Sequence, residues 1–585
     1  MTMDNPRRAA PALMALGAVL VATIGVPAAR AQTTPPPPPP SSVAAPPPIV
    51  SPDPAASGTV AALPPALDDP QAQAVYARLQ QMTVPGAAPL PRQRAALGKA
   101  LSDFYMQRRY APAWSDDANV QQLFAGLASL EGDGLLPEDY HLSELKATVE
   151  ASAWKDAAPA QRAEFDVAAT SAYITALVQL AHGKVDPEKL DPIWNFDPAA
   201  IDAQQGVAML QTAIDERSVD QVFGMARPQN PLYAKLRDAL AQLRTTAASG
   251  GWPTIPDGPS LKPGMKDARV QALRTRLVAG GYLDGSLEHG THYDNAVTDA
   301  VKRFQTDQYM DADGSVGAAT LASLNVPVAA RIAQVRANLE RARWLLHALP
   351  GTFVVVDVAG YKISYYRDGV PVWKSRVQVG KPYRSTPIFR SQITYITFNP
   401  TWTIPPTILK NDVLPKIRKN ASYLANNRIR VLDGSGNVIA PASVDWNNPK
   451  GITLRQDAGP GNSLGQVVIR FPNSFAVYLH DTPHQELFAK SRRDTSSGCI
   501  RVEHPLDLVQ LLFNDDQKWN RAAIDERLAT KKTQNVTLPT SIPVLLAYWT
   551  VDIADDGKLA YKPDVYDRDG AVVAALDKPQ PLRAP

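Results

Sequence analysis

The sequence of 585 residues contains a single cysteine, Cys499, so it can form no internal disulfide. It has no long basic run, and 60 Lys and Arg stand against 57 Asp and Glu for a net charge of +3. That balance gives no electrostatic footprint for nucleic acid, which is excluded as an expected partner. No uninterrupted apolar stretch has the length of a membrane span. The nearest candidate, Ala9 to Ala29, is broken by small residues and prolines. Arg7 and Arg8 precede it and Ala29-Arg30-Ala31 closes it, the pattern of a cleavable secretory signal with the mature chain starting near Gln32. An uncleaved anchor is the alternative, and both readings put the body of the protein outside the cytoplasm. An exported chain ordinarily carries cysteines in pairs, so the lone thiol is either an inert buried group or a reactive one.

What the sequence does hold falls into blocks. Residues 32–70 are rich in Pro, Ala and Ser, with Pro35 to Pro40 unbroken, and read as a linker with no core of its own. Residues 71–250 show apolar positions at three- and four-residue spacing, as in Val167, Ala168, Tyr173, Ile174, Leu177, Val178 and Leu180. They predict a helical scaffold domain, with a turn at Gly132-Asp133-Gly134 and with Trp114, Tyr140 and Trp194 as packing anchors. In residues 263–326, Val270, Leu273 and Leu277 mark one helix, Val297, Val301 and Phe304 a second, and Leu321 and Leu324 a short third. The joints are Gly281-Tyr282-Leu283, Phe304-Gln305 and Asp313-Gly314-Ser315-Val316-Gly317. This unit resembles the small three-helix peptidoglycan-binding domain, which implies binding to wall glycan.

The helical periodicity stops after the segment from Ala330 to Leu346, and strand-like runs follow. Phe353 to Val358, Lys362 to Tyr366, Arg376 to Val379, Gln392 to Asn399, Gln466 to Arg470 and Ala476 to Leu479 are strand candidates. They predict a mostly β domain over residues 351–515. Residues 403–461 interrupt it with helix-like Lys410 to Asn420 and strand-like Arg428 to Leu432, an insertion expected to act as a lid or to pack as a rigid flap. Residues 516–585 are expected to be a C-terminal extension packed on this domain. The fold class is thus multidomain α+β.

The chemistry concentrates in Val477-Tyr478-Leu479-His480-Asp481-Thr482-Pro483 and Thr495-Ser496-Ser497-Gly498-Cys499-Ile500-Arg501-Val502. A thiol attacks well as a thiolate, and His480 is placed to activate Cys499 by a hydrogen bond. Gly498 leaves room for a carbonyl to approach backbone N–H groups that would stabilise an oxyanion. In an extended segment Arg501 shares a face with Cys499, where it can hold a carboxylate or lower the thiol pKa. His480-Asp481-x-x-His484 is a poor zinc site, since no third ligand stands nearby, so neither a metal nor another cofactor is expected.

A His followed by Ser/Thr-x-Gly-Cys-x-Asn/Arg is the signature of the L,D-transpeptidase catalytic domain of YkuD type, and the chain resembles that family at His480, Ser497-Gly498-Cys499 and Arg501. Ser497 replaces the usual His before the Gly, a departure associated with the large periplasmic enzymes of Gram-negative bacteria, which also carry a scaffold, a peptidoglycan-binding unit and a lid. Asn338-Leu339-Glu340-Arg341-x-Arg343-Trp344 and Tyr478 extend the likeness. The resemblance implies Cys499 as nucleophile, His480 as base, and Gly498 and Cys499 N–H groups at the oxyanion, with Tyr478 and Ser497 beside them. Arg501 would position the site or a stem carboxylate, and Trp402 with Ile404-Pro405-Pro406 would edge the groove.

It implies periplasmic cross-linking of tetrapeptide stems to a diaminopimelate acceptor, with release of D-Ala, and acylation by carbapenem-type β-lactams. Two other readings stand beside it: an L,D-carboxypeptidase or other thiol hydrolase of the same stems, and a non-catalytic wall-binding scaffold.

Overall fold

The computed structural model describes residues 67–82, 92–151, 154–196, 203–347, 349–554 and 557–579. The expected signal segment and most of the Pro-rich stretch lie outside the described residues. Within the described part, no helix is long and apolar enough to cross a membrane.

The N-terminal third is helical, built around the helix Pro159–His182. This helix buries residues on nearly every side, because other helices pack around it and Trp114, Tyr140 and Tyr173 fill the gaps with no exposed surface. Each ring's polar atom is satisfied: the Trp114 indole donates to Thr170 Oγ1 at 2.8 Å and the Tyr140 hydroxyl to Gln179 Oε1 at 2.6 Å. Trp194 packs edge-on against Trp344.

Three helices, Arg269–Ala279, Asn295–Asp307 and Ala318–Leu324, enclose a separate small core of Val270, Leu273, Leu277, Val297, Val301, Phe304 and Leu324. The buried Gln305 holds the following turn from both ends of its amide. It accepts from Gly314 N–H at 2.8 Å and donates to Asp313 Oδ1 at 2.9 Å. The Phe-Gln and Asp-Gly hallmarks therefore do structural work.

The helix Val328–Leu345 joins these parts to the β domain, and its buried face is unusually polar. Arg343 pairs with Glu340 and donates to the Asp133 carbonyl, while Asn338 accepts from Thr550 N–H at 2.7 Å and Arg341 meets Asp569 at 2.5 Å. Buried charges persist when paired and hydrogen-bonded, and here the pairs pin three chain segments to one helix.

The β domain runs through β1 (Phe353–Asp357), β2 (Lys362–Arg367), β3 (Val370–Gly380), β4 (Phe389–Phe398), β5 (Trp402–Thr403), β6 (Ile429–Leu432), β7 (Val438–Ile439), β8 (Thr453–Gln456), β9 (Val467–Arg470), β10 (Leu479–His480), β11 (Asp494–Ser496), β12 (Ile500–Val502) and β13 (Gln534–Ala547). Nine of them form one mixed sheet in the order β11-β3-β12-β10-β9-β4-β13-β1-β2. Strand β13 lies between β4 and β1, so the C-terminal extension, expected to pack on this domain, supplies a central strand of its sheet. Pro539 and Pro543 blur its alternation in sequence; a register shift between Thr537 and Ile542 accommodates Pro539, and Pro543 stays in the ladder opposite Gln392. The extension also reaches past this domain. Val572 and Leu576 of the helix Asp569–Leu576 pack into the scaffold core, where Lys184 donates to the Leu576 carbonyl at 2.5 Å.

The insertion forms its own sheet, β5-β8-β6-β7, over an apolar cluster of Ile404, Val413, Leu414, Ile417, Leu424, Ile429, Val431 and Leu454. Such a unit, with an interior of its own, moves as a body if it moves at all.

Candidate active site

Strand register assembles the site. Strand β10 pairs with β12 in parallel, His480 opposite Arg501, and one step back in this register brings Tyr478 opposite Cys499. Strand β9 pairs with β10 in antiparallel fashion, so one step on from the Leu479–Ile469 pair sets Arg470 opposite Tyr478. Side chains alternate between sheet faces, so Leu479, Ile469 and Ile500 enter the core while Arg470, Tyr478, His480, Cys499 and Arg501 share the other face. Cys499, Tyr478, Arg470 and Arg501 are partly exposed, whereas His480 is buried.

The loop before Cys499 is held by backbone and hydroxyl bonds. Gly498 has φ +113°, a conformation that L side chains rarely adopt. The Ser496 hydroxyl accepts from Gly498 N–H at 3.1 Å and donates to the Cys499 carbonyl at 2.6 Å. Gly498 N–H is thus taken up inside the loop, which corrects the expectation that it faces an oxyanion. Thr386 lies behind, fully buried; its hydroxyl donates to the Gly498 carbonyl and accepts from Gly380 N–H, both at 2.9 Å. A Cβ at Gly380 would lie 2.1 Å from the Arg384 carbonyl oxygen and 3.0 Å from Gly498 Cα, so β3 approaches the loop as closely as glycine allows. Tyr566, from the C-terminal extension, buttresses this layer by donating to the Gly380 carbonyl at 2.8 Å.

The thiol's hydrogen-bond acceptor is the Ala476 carbonyl, 3.7 Å away, and the Tyr478 side chain and backbone also face the sulfur. The direct His480–Cys499 bond expected from sequence is replaced, because register puts Tyr478 and not His480 across from the cysteine. Burial pushes the thiol pKa up, opposed by Tyr478 and then by the charges of Arg501 and Arg470. Burial, then Arg501, pushes the His480 imidazole down to about 3, so the ring is neutral at pH 7. Its Nδ1 meets the Asp481 carbonyl at 2.5 Å, which makes Nδ1 the protonated nitrogen and leaves the lone pair on Nε2. Tyr478 is also pushed up, first by burial and then by Cys499.

The remaining candidates separate. Arg501 donates to Gln378 Oε1 at 3.2 Å, on the site's face. Ser497 is exposed and accepts from Arg384 Nη1 at 2.9 Å, and the same nitrogen meets Asp412 of the insertion at 2.5 Å. Arg384 therefore bridges the insertion and the loop before Cys499, a link with no signal in local sequence. Trp402 packs partly buried against the insertion's own core. Tyr383, 73 % exposed beside Arg384, is a large aromatic at the rim that sequence reading missed.

Three family models match the chain: the scaffold domain over residues 99–240, the "Putative peptidoglycan binding domain" over 266–324, and the L,D-transpeptidase catalytic domain, YkuD, over 351–516. A Haemophilus influenzae protein named "Putative L,D-transpeptidase" is 37 % identical over 235 residues, 40 % of this chain and 47 % of that protein. The match thus spans about half the length of that curated relative. Among solved structures, the L,D-transpeptidase of Stackebrandtia nassauensis is 12 % identical, with 50 % of this chain and 96 % of that one covered and a TM-score of 0.20. The L,D-transpeptidase of Xylanimonas cellulosilytica is 15 % identical, covering 50 % of this chain and 99 % of that one at a TM-score of 0.17. Likeness at these scores carries no argument about individual residues. The family matches, each falling on a part delimited above by its own core, identify a chain that carries a YkuD L,D-transpeptidase catalytic domain together with a scaffold domain and a peptidoglycan-binding domain.

Proposed function

We propose that this protein is an exported, periplasmic L,D-transpeptidase that joins diaminopimelate residues of neighbouring tetrapeptide stems in 3-3 cross-links through an acyl-enzyme on Cys499. The observation that carries the reading is the sheet face on which the lone, partly exposed thiol stands with a neutral His480 and two arginines. A neutral thiol beside a neutral imidazole calls for proton transfer coupled to attack, not for a resting ion pair.

In the first half-reaction Cys499 Sγ bonds to the scissile carbonyl carbon and, once the thiol turns from the Ala476 carbonyl, its proton passes to His480 Nε2. The oxyanion is met by Cys499 N–H and the Tyr478 hydroxyl, Gly498 N–H being engaged elsewhere. Collapse breaks the C–N bond, His480 returns the proton to the departing D-Ala amine, and a thioester remains. In the second half-reaction the side-chain amine of an acceptor diaminopimelate attacks the thioester carbon, His480 takes its proton, and the thiolate leaves and is reprotonated. Water as acceptor gives the L,D-carboxypeptidase outcome. The peptidoglycan-binding unit and scaffold would hold the wall strand near this face. Carbapenem-type β-lactams are expected to acylate the same sulfur.

Incubating the purified chain with disaccharide tetrapeptide and analysing products by mass spectrometry tests the reading. Cross-linked dimer with free D-Ala is expected. Tripeptide without dimer would replace it with the hydrolase, and unchanged substrate would leave a wall-binding scaffold.

A further inference from the structure

Arg470 entered the site only through strand pairing, and its surroundings are chemically incomplete. Its guanidinium lies over the Tyr478 ring at 4.6 Å from the centroid, which fixes its direction toward the thiol row. Its Nε is buried and has no hydrogen-bond partner, and the same holds for Arg501 Nε. Near the site, Arg376 pairs with Glu503, Arg384 with Asp412 and Arg492 with Asp494, while the Nε of Arg493 donates to a backbone carbonyl. Among the described residues neither Arg470 nor Arg501 forms an ion pair, although both bear electrostatically on Cys499. A partly buried guanidinium without a counter-charge is costly unless a ligand brings the anion, and its planar fork suits a carboxylate.

We propose that Arg470, working with Arg501, binds a carboxylate of the donor peptide and thereby selects stems that end one residue beyond the scissile bond. The assignment of that carboxylate to the terminal D-amino acid rests on the acyl-transfer reading above. Arg470 stands two strands from Cys499, roughly 10 Å between backbones, and a long side chain closes most of that gap. The carboxylate of a terminal D-Ala lies one residue from the bond that breaks, so Arg470 can reach it while the carbonyl carbon sits on the sulfur. A longer peptide places an uncharged amide at that point and leaves the cation unpaired. Arg470 is then a specificity residue that touches the leaving group.

The single thiol permits a test that does not depend on turnover. Rates of Cys499 alkylation by iodoacetate and by iodoacetamide at low ionic strength report the local preference for an anion. In Arg470→Gln the iodoacetate-to-iodoacetamide ratio is expected to fall roughly fivefold, from the loss of one charge at this range. In Arg470→Lys, which keeps the charge and also guards against a folding defect, it should stay near wild type. An unchanged ratio in a folded Arg470→Gln variant overturns the anion site.

The second arm compares tetrapeptide donors ending in D-Ala carboxylate or D-Ala carboxamide. Wild type is expected to favour the acid mainly through a lower KM, and Arg470→Gln to lose that preference. Equal use of both donors by wild type overturns the terminal-carboxylate assignment. Wild type inactive on both overturns the acyl-transfer reading, and the alkylation ratio alone then decides the anion site.

Discussion

Thr386→Val isolates the layer behind Cys499. Valine keeps the shape of threonine but offers no hydroxyl, so Gly380 N–H and the Gly498 carbonyl both lose a 2.9 Å partner in a place without solvent. An unsatisfied buried polar group costs about 1–3 kcal/mol, so the two together cost ~2–6 kcal/mol. Thr386→Ser keeps both bonds and gives up one methyl, worth ~0.8 kcal/mol. Hydrogen exchange at Gly380 reads the difference locally, without assuming that so large a chain unfolds in one step. At the lower bound of 2 kcal/mol, exchange there should be about 30-fold faster in the valine variant than in wild type, and only a few-fold faster in the serine variant. Because the Gly498 carbonyl is also released, the thiol should lose its set position and acylation should slow, by a factor that reaches ~10² for a displacement near 1 Å. If the valine and serine variants exchange at the same rate, the hydroxyl bridge is not what holds Gly498 to Gly380, and the reasoning fails.

Further outcomes follow from the same geometry. Cys499→Ala should end product formation while changing stability by no more than ~1 kcal/mol, since the residue is partly exposed; residual turnover would remove it as nucleophile. The His480 imidazole, held down to about 3 by burial and then Arg501, stays neutral in the fold at pH values where the unfolded chain takes up a proton. Its contribution is therefore fully present above the ordinary histidine value of about 6.5 and is lost as pH falls toward 3, by up to ~1.4 kcal/mol per pH unit. Urea midpoints at pH 7, 5.5 and 4.5 should show a shallower decline in His480→Asn than in wild type; parallel declines would contradict the assignment. Asp412→Asn cuts the link between the insertion and Arg384, a pair exposed enough to be worth at most ~1 kcal/mol, so stability should hold. The tripeptide-to-dimer ratio should rise if the insertion shields the thioester from water, and replacing residues 403–461 by a Gly-Ser bridge should raise it further without preventing acylation by a small β-lactam. A constant ratio in both folded variants would leave the insertion a stabilising flap.

Much of this molecule is written in short stretches of chain. The short β-branched apolar runs of Phe353 to Val358 and Gln466 to Arg470, the helical spacing around Tyr173, and the Asp313-Gly314 turn are local patterns, and local sterics and composition suffice to read them. The candidacy of Cys499 and His480 likewise comes from local sequence, a unique thiol after glycine and a nearby His within a few dozen residues. Other features depend on which strands become neighbours, and that choice is settled by how all the apolar faces pack at once. Pairing in the sheet set Tyr478 across from Cys499 and brought in Arg470; it also inserted β13, with its two prolines, between β4 and β1. Contacts such as Arg384 with both Asp412 and Ser497, or Tyr566 on Gly380, join residues 28 to 186 positions apart. No periodicity connects such partners along the chain, because the energy that pairs them exists only after the sheet, the insertion and the C-terminal extension have packed together.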